Sequence, residues 1–425
     1  MDRLLFLGNE ARSQARTQLA ETICRLPYSR LLSYGITSYR QITNLDVIGI
    51  PVWICHRPDA HTISVTAGKN AYDRLACAGS IIEGLEFWAA ENPNSEFKLC
   101  SHRQLQQNRD SSDLLPLEAY PLARDNVLDE DTPIAWELVE KVIIRPGFAS
   151  TVWMPSHMIW LEDRARQQFL DVQQSSNGLA SGITLEDALL QAFYELVERD
   201  AWTINQYVRE LVGTLPVRVP LIDLPPELEW SISLIRKAGL YPFLHYLEND
   251  LGIPVLGCAL FGGDNVGFFG GYGAHLNPRV AAQRAITEAV QSRLCYISGA
   301  RDDLYRRDFI LMKQSSSKRL IASLNNLPFF KANWPEFARQ FICDGYEFAN
   351  LAEEFSALTG RLATCGIDQL YYRVLRVEEF ANASLTIVKA VAPQLEGAWC
   401  ENWMTNGRAQ KRLEKEVAKA ADGTD

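Results

Sequence analysis

The sequence predicts a mixed α/β (α+β) fold in which three acid-bearing helices are set among short strands of mixed sheets. Three observations carry that expectation. From Thr184 to Trp202 the apolar residues Leu189, Ala192, Phe193, Leu196 and Val197 fall on one side of a helix. Two further segments, 76–91 and 278–294, are largely apolar and helical in period. Short runs rich in β-branched and aromatic residues, at 51–55, 253–261 and 385–390, lie between and beyond them. With 425 residues, 47% of them hydrophobic, the chain can bury a large core, as one big domain or two intimate ones.

Taken in order, residues 1–32 read as helix, loosely amphipathic over 14–26. Strands follow at 51–55 and 62–66, joined by the turn-forming R-P-D-A. G-K-N at 68–70 reads as a turn into the helix 76–91, with Asn70 able to adopt positive φ. The polar stretch 106–133, with Asp125, Asp129, Glu130 and Asp131, reads as a surface excursion and not as a metal site. Strands are expected at 142–144 and 152–154, then a small-residue loop from Ser175 to Gly182. Thr184 and Asp187 form a capping-box variant at the head of the long helix. Pro216, Pro220, Pro225 and Pro226 interrupt the chain before a helix at 227–238 and strands at 241–246, 253–261 and 267–274. The glycines at 262, 263, 267, 270, 271 and 273 match neither a dinucleotide fingerprint nor a Walker A sequence, so turns and close approach account for them. Helices at 317–325 and 349–358, strands at 371–377 and 385–390, and a charged helical or frayed tail over 408–421 complete the chain.

Composition excludes several classes. A net charge of −10 argues against nucleic acid or an anionic membrane as partner. Nine scattered cysteines without C-x-x-C suggest neither a disulfide framework nor zinc. His56, His157 and His245 lie in apolar strand-like runs and read as core histidines. Neither a signal peptide nor an apolar run of membrane-spanning length is present, and a cytoplasmic protein is expected.

The chemistry lies in the acids. Asp187, Gln191, Glu195 and Glu198 recur at four, four and three residues and share one helix face, with no basic residue before Arg199. Like charges one turn apart destabilise a helix unless something positive stands between them. A solvated face is the alternative reading of that spacing. It weakens because Glu83 and Glu86 on the first helix, and Glu288 and Gln291 on the third, repeat the i,i+3 pattern, with Arg284 and Arg293 beside the last pair. Oxygen donors of this kind suit a hard divalent cation such as magnesium, and nearby arginines suit phosphate.

These residues sit in G-K-N-A-Y-D-R-L-A-C-A-G-S-I-I-E-G-L-E (68–86), S-N-G-L-A-S-G-I-T-L-E-D-A (176–188), E-L-V-E-R-D-A (195–201) and R-A-I-T-E-A-V-Q-S-R-L (284–294). In order and spacing these segments resemble the YcaO family of ATP-dependent peptide-backbone modifying enzymes. The flanking G-I-T (35–37), L-D-V-I-G-I-P-V-W (45–53) and V-W-M-P (152–155) fit as well, so that the resemblance spans about Gly35 to Asp303. It implies a family-type domain over 35–400, preceded by a helical segment 1–34 and followed by a charged tail 401–425. It also implies ATP and Mg2+ as cofactors, with Glu83, Glu86, Asp187, Glu195 and Glu198 as metal ligands. Lys69, Ser176, Asn177, Arg199, Arg284, Glu288 and Gln291 would then contact nucleotide, with Glu83, Glu86, Glu195, Glu198 and Glu288 of the three acidic helices converging on one cleft; no further catalytic residue is assigned. Asp187 stands where the family usually has Glu, Phe87 where many relatives have Arg, and Ile183 where Asn is common.

Such enzymes activate a backbone amide oxygen by phosphorylation, and the nucleophile decides the product. External sulfide gives a thioamide; a Cys, Ser or Thr side chain of the peptide gives an azoline. The tail ends in K-A-A-D-G-T-D, not the Pro-x-Pro-x-Pro of the ring-forming branch, and S-R-L-C-Y-I-S-G-A-R-D-D (292–303) is similar to TfuA-associated members. Thioamide formation is therefore the favoured expectation, with azoline formation and a non-catalytic nucleotide-binding scaffold as alternatives. About thirty residues precede the first family segment, too few for a leader-binding module. The expected partners are a substrate peptide or protein, a TfuA-like or leader-peptide-binding protein, and a second copy of the chain in a homodimer.

Overall fold

The computed structural model describes residues 9–107, 113–116, 119, 129–142, 151–161, 174–213, 217–262, 266–302, 347–397 and 407–422. Its elements begin with α1 (Asn9–Ile23), α2 (Tyr28–Ser33), β1 (Ser38–Gln41), β2 (Val52–His56), β3 (Val65–Lys69) and α3 (Asp73–Glu91). There follow β4 (Lys98–Ser101), α4 (His102–Gln107), β5 (Asp113–Leu114), β6 (Pro133–Lys141), β7 (Thr151–Pro155), β8 (Leu179–Gly182) and α5 (Leu185–Val212). The chain continues through β9 (Val217–Arg218), α6 (Pro226–Lys237), β10 (Leu240–Tyr246), β11 (Val255–Gly262), β12 (Phe268–Ala274) and α7 (Pro278–Ser298). It closes with α8 (Leu351–Thr364), β13 (Tyr371–Phe380), β14 (Ala383–Val391) and α9 (Arg408–Asp422). The expected mixed fold is present: the strand pairs are antiparallel except β5 with β7. The chain divides into two units, one of Met1–Arg12, Glu86–Thr214 and Ala349–Asp425, the other of Ser13–Leu85 and Leu215–Phe348.

The second unit is organised by α7. This helix packs on β11 and β12 of the sheet ordered β12-β11-β10-β9, and also meets β2 and β3 of the sheet β1-β2-β3. Its Ala281, Ala285, Ile286, Ala289 and Val290 share one core with Val52, Ile54 and Val65, with Leu244, Leu256 and Leu260, and with Leu228, Ile232 and Ile235 of α6. Each such buried Val, Leu or Ile side chain contributes roughly 1.5–3 kcal/mol of transfer free energy. Small residues on both partners let β12 lie directly on the helix. A Cβ on Gly271 would stand 2.2 Å from the Ala289 nitrogen, and one on Gly273 2.3 Å from the Ala281 oxygen. Close approach is thus the role of these two glycines, as expected. Arg293, 2% exposed, makes a two-pronged ion pair with Asp46 at 2.7 and 3.1 Å.

Two local expectations in this unit need correction. The segment 68–70 is not a turn: β3 runs through Gly68 and Lys69, which pair with Trp53 and Val52 of β2, and Gly68 passes so close to α3 that a Cβ would lie 2.0 Å from the Ala76 oxygen. Asn70 does not take positive φ; among the described residues Asp223 is the only non-glycine that does. Asn70 instead accepts the Tyr72 N–H on its side chain at 3.0 Å, a local turn that feeds α3.

In the first unit, β5, β7, β6, β13, β14 and β8 form a sheet in that order, with β4 paired to β6. Helix α5 lies on β8 and β14 and meets α8 and α9. Thr184 caps it by accepting the Asp187 N–H at 3.1 Å, and Gly213 at φ 76° ends it. Leu189, Ala192, Phe193, Leu196 and Val197 are buried, as their period predicts. The loop expected at 175–182 is shorter, since Leu179–Gly182 pairs with β14 as β8. The strand expected at 142–144 starts and ends earlier, as β6; residues 143–144, the helix expected at 317–325 and Asp125 lie outside the described residues. The tail forms α9, whose Ala409 and Leu413 cover Ile204 and Val208 of α5. No helix among the described residues is long and apolar enough to cross a membrane.

The contact between β12 and α7 yields a paired prediction. Gly271→Ala should lower stability by about 1–3 kcal/mol through overpacking against helix backbone. Gly270→Ala, whose Cβ would meet nothing closer than the Tyr272 hydroxyl at 3.7 Å, should be nearly neutral. Urea unfolding of both variants measures the difference.

Candidate functional site

Helix α5 carries its acids inward. Asp187 and Glu198 are 1% and 8% exposed, which removes the solvated-face reading for both. Buried carboxylates need cations or N–H donors, since an isolated buried charge is strongly unfavourable. Asp187, Glu195, Glu198 and Asp200 each find one. Glu195 accepts the Gly178 N–H at 3.1 Å, and Arg199 stands 3.7 Å from Glu195 and 3.9 Å from Glu198. Asp200, fully buried one residue further on, takes Arg408 at 2.9 and 3.0 Å and the Glu396 N–H at 2.8 Å. Burial nevertheless lifts the Asp200 carboxyl to about 6 against the pull of that arginine.

The loop before β8 completes this cluster. Gly178 has φ 76°, and a Cβ there would lie 2.3 Å from the Ala390 oxygen, so only glycine fits. Ala390 donates its N–H to the Gly178 oxygen at 2.8 Å. Lys389, beside it on β14 and 3% exposed, donates its ammonium to the Asn177 oxygen at 2.6 Å and to the Ser175 oxygen. Burial lowers the Lys389 ammonium to about 8, with Glu195 pulling the other way. Asn177 in turn donates its amide to the Gly397 oxygen. Glu86 accepts the Ser181 hydroxyl at 2.6 Å. Glu86, Ser176, Asn177, Glu195, Glu198 and Arg199 therefore all belong to the first unit, which orders the 175–178 loop through Lys389 and Glu195. Lys389 is not legible from sequence except as a charged residue inside the apolar run of β14.

A second group forms in the other unit. Among the described residues β3 pairs only with β2, and its far edge has no strand partner. There Glu83 accepts the Ala67 N–H at 2.7 Å, while Gln291 donates to the Ala67 oxygen at 3.4 Å. The Gln291 side-chain oxygen is buried with no hydrogen-bond partner. Lys69 stands 3.3 Å from Glu288, and Arg284 donates to the Ala274 oxygen at 3.3 Å.

Asp187 differs from the other acids. Its Oδ1 accepts Arg12 at 2.8 Å and its Oδ2 the Ile183 N–H at 3.2 Å. Arg12 also donates to Glu354 of α8 at 2.5 Å, and Glu354 accepts the Tyr194 hydroxyl at 2.9 Å. Neither Arg12 nor Glu354 was marked by sequence pattern.

The donor set fits a magnesium–nucleotide complex in kind: carboxylate and amide oxygens for a hard cation, lysine and arginine for phosphate. The orphaned Gln291 oxygen is an acceptor awaiting a donor. Among the described residues no three acidic, histidine or cysteine side chains form a ready metal cage. That is compatible with magnesium, which usually retains waters and phosphate oxygens alongside one or two carboxylates.

Comparison with known proteins agrees. The model of the family described as YcaO cyclodehydratase, ATP- and Mg2+-binding, matches residues 67–396. An uncharacterised protein in the tfuA 3′ region of Rhizobium leguminosarum bv. trifolii is 30% identical, over 86% of this chain and 85% of its own. Two solved structures share the fold. YcaO from Methanopyrus kandleri, bound with AMPPCP and Mg2+, has a TM-score of 0.64 at 19% identity and covers 92% of each chain. A heterocyclase in complex with substrate and cofactor has a TM-score of 0.72 at 18% identity, covering 95% of this chain and 55% of its own. Taken with the acid-bearing helices and the two clusters they anchor, the match over residues 67–396 places this chain in the YcaO family of ATP- and Mg2+-dependent peptide-modifying enzymes.

Proposed function

We propose that this enzyme activates a backbone amide of a peptide or protein at the expense of ATP and that its product is a thioamide. The observation that carries the ATP chemistry is the pairing of acids with cations and loop backbone: Glu195 and Glu198 with Arg199, Glu195 with the Lys389-held loop, and Glu288 with Lys69. On this reading Glu83, Glu86, Glu195 and Glu198 hold magnesium, directly or through water. Arg199, Arg284 and Lys69 face phosphate oxygens, Ser176 and Asn177 line the nucleotide, and Glu288 and Gln291 contact it. ATP supplies the phosphoryl group that converts the amide oxygen into a leaving group. The protein's part is positioning and charge stabilisation, which dominate phosphoryl transfer. Loop order then matters as much as the ligands, and Lys389 sets it by holding two carbonyls at once.

The relative in the tfuA 3′ region supports the thioamide product and a TfuA-like partner that delivers the substrate. The fold shared with a heterocyclase supports the second reading, azoline formation at Cys, Ser or Thr.

Three measurements test this reading. Glu198→Gln should lose magnesium-dependent ATP hydrolysis at least about 100-fold with little change in thermal stability, the removed charge being a ligand. Leu196→Ala should instead lower stability by about 2–5 kcal/mol through a core cavity and leave the KM for ATP unchanged. Equal thermal damage from both, with hydrolysis intact in Glu198→Gln, overturns the site assignment. Lys389→Met, which strands two loop carbonyls at up to about 1–3 kcal/mol each, should raise the KM for ATP more than it lowers kcat. For the product, peptide treated with enzyme, partner, ATP, magnesium and sulfide is weighed by mass spectrometry. Exchange of one oxygen for sulfur is expected; loss of water without need of sulfide gives the azoline reading instead.

A further inference from the structure

We infer that Asp187 does not ligate the magnesium–nucleotide complex in this enzyme but forms, with Arg12 and Glu354, a buried clamp that positions α5. The inference rests on the ATP-site reading above and removes one acid from it.

Three observations carry it. First, both Asp187 oxygens are in use: Arg12 holds Oδ1 at 2.8 Å and the Ile183 N–H holds Oδ2 at 3.2 Å. Second, the group is closed to solvent, with Arg12, Asp187 and Glu354 side chains 11%, 2% and 4% exposed. A ligand to an exchanging nucleotide would have to leave both partners and reduce the buried Arg12 guanidinium to Glu354 alone. Third, the position along the helix is wrong for a shared ion. Asp187 lies eight residues before Glu195, about 12 Å along the axis at 1.5 Å per residue. A magnesium ion holds its ligands at about 2.1 Å, so Asp187 and Glu198, one turn further still, do not meet at one metal.

The clamp has a clear geometric task. Asp187 belongs to the capping box of α5, donating its backbone N–H to Thr184 at 3.1 Å. Arg12 ties that first turn to Glu354 on α8, and Tyr194, two turns into α5, donates to the same Glu354 at 2.9 Å. One carboxylate of α8 thereby fixes α5 at two heights, immediately ahead of the turns that carry Glu195 and Glu198. Asp187 and Arg12 are positioning residues, and a cation from a distant part of the chain fills the place that a metal ion would otherwise take beside this acid.

The test uses Mn2+ as the metal probe with AMPPCP, counting bound ions and measuring affinity by electron paramagnetic resonance, alongside urea unfolding. The variants are Asp187→Asn, Arg12→Met, Arg12→Lys, the Arg12→Met/Asp187→Asn pair, and Glu198→Gln as comparator. Asp187→Asn should keep the number of bound ions, whereas Glu198→Gln should lose one. Arg12→Met should weaken Mn2+·AMPPCP binding about tenfold through misplacement of α5 at an unchanged ion count, with Arg12→Lys recovering part of the loss. The unfolding midpoints of the single and paired variants should be strongly non-additive, the pair being more stable than Arg12→Met alone. Loss of an ion in Asp187→Asn overturns the inference, and so does additivity in unfolding. If Glu198→Gln also keeps every ion, the ATP-site reading fails, and the unfolding cycle alone decides whether the clamp exists.

Discussion

Helix α5 must bury negative charge, and much of the first unit is arranged to make that possible. Asp187, Glu198 and Asp200 are all buried on one 28-residue helix. The cations that compensate two of them come from far along the chain, Arg12 for Asp187 and Arg408 for Asp200. Replacing any one partner leaves the other uncompensated, which is the severe case for a buried pair. These contacts therefore act less as added stability than as a specification of where distant segments must dock. Residues 396 and 408–409 are brought to the same point by one aspartate: the Glu396 N–H and Arg408 reach Asp200, while the Ala409 N–H reaches Glu396 at 2.8 Å.

The two units solve packing differently. In the second, α7 presents Ala281, Ala285 and Ala289 where it meets Gly271 and Gly273 of β12, so backbone lies on backbone and shape does the specifying. In the first, α5 also comes backbone-close to β8 at Gly182, but it handles its polar side by ion pairing. Function follows that division. The acids assigned to metal stand on helices whose apolar sides are buried in the core, which fixes each carboxylate beside its hydrogen-bond or ion-pair partner.

Local periodicity made α3, α5 and α7 readable, because a helix places i, i+3 and i+4 together whatever surrounds it. The i,i+3 acids were visible for the same reason. Strand boundaries were less so. β8 is L-A-S-G, with no strand propensity of its own, and is a strand because β14 pairs with it. β3 runs on through Gly68 because β2 pairs with it there, a contact no local pattern records. Lys389 and Arg12 escaped notice altogether: their partners are 212 and 175 residues away, and a single basic residue has no periodicity. Asp187 shows the limit most sharply. Its spacing on the helix is that of a ligand, and its surroundings are those of an anchor.

The edge of β3 has a consequence for behaviour in solution. An edge strand with unmet N–H and C=O groups is a template for pairing with another chain. At Ala67 both groups are occupied, the N–H by Glu83 and the carbonyl by Gln291. Two side chains assigned to the nucleotide site thus also guard the sheet against association. If Glu83 turns to a metal ion as proposed, the Ala67 donor is bared, which makes the metal-free enzyme the better protected of the two forms against strand-to-strand aggregation.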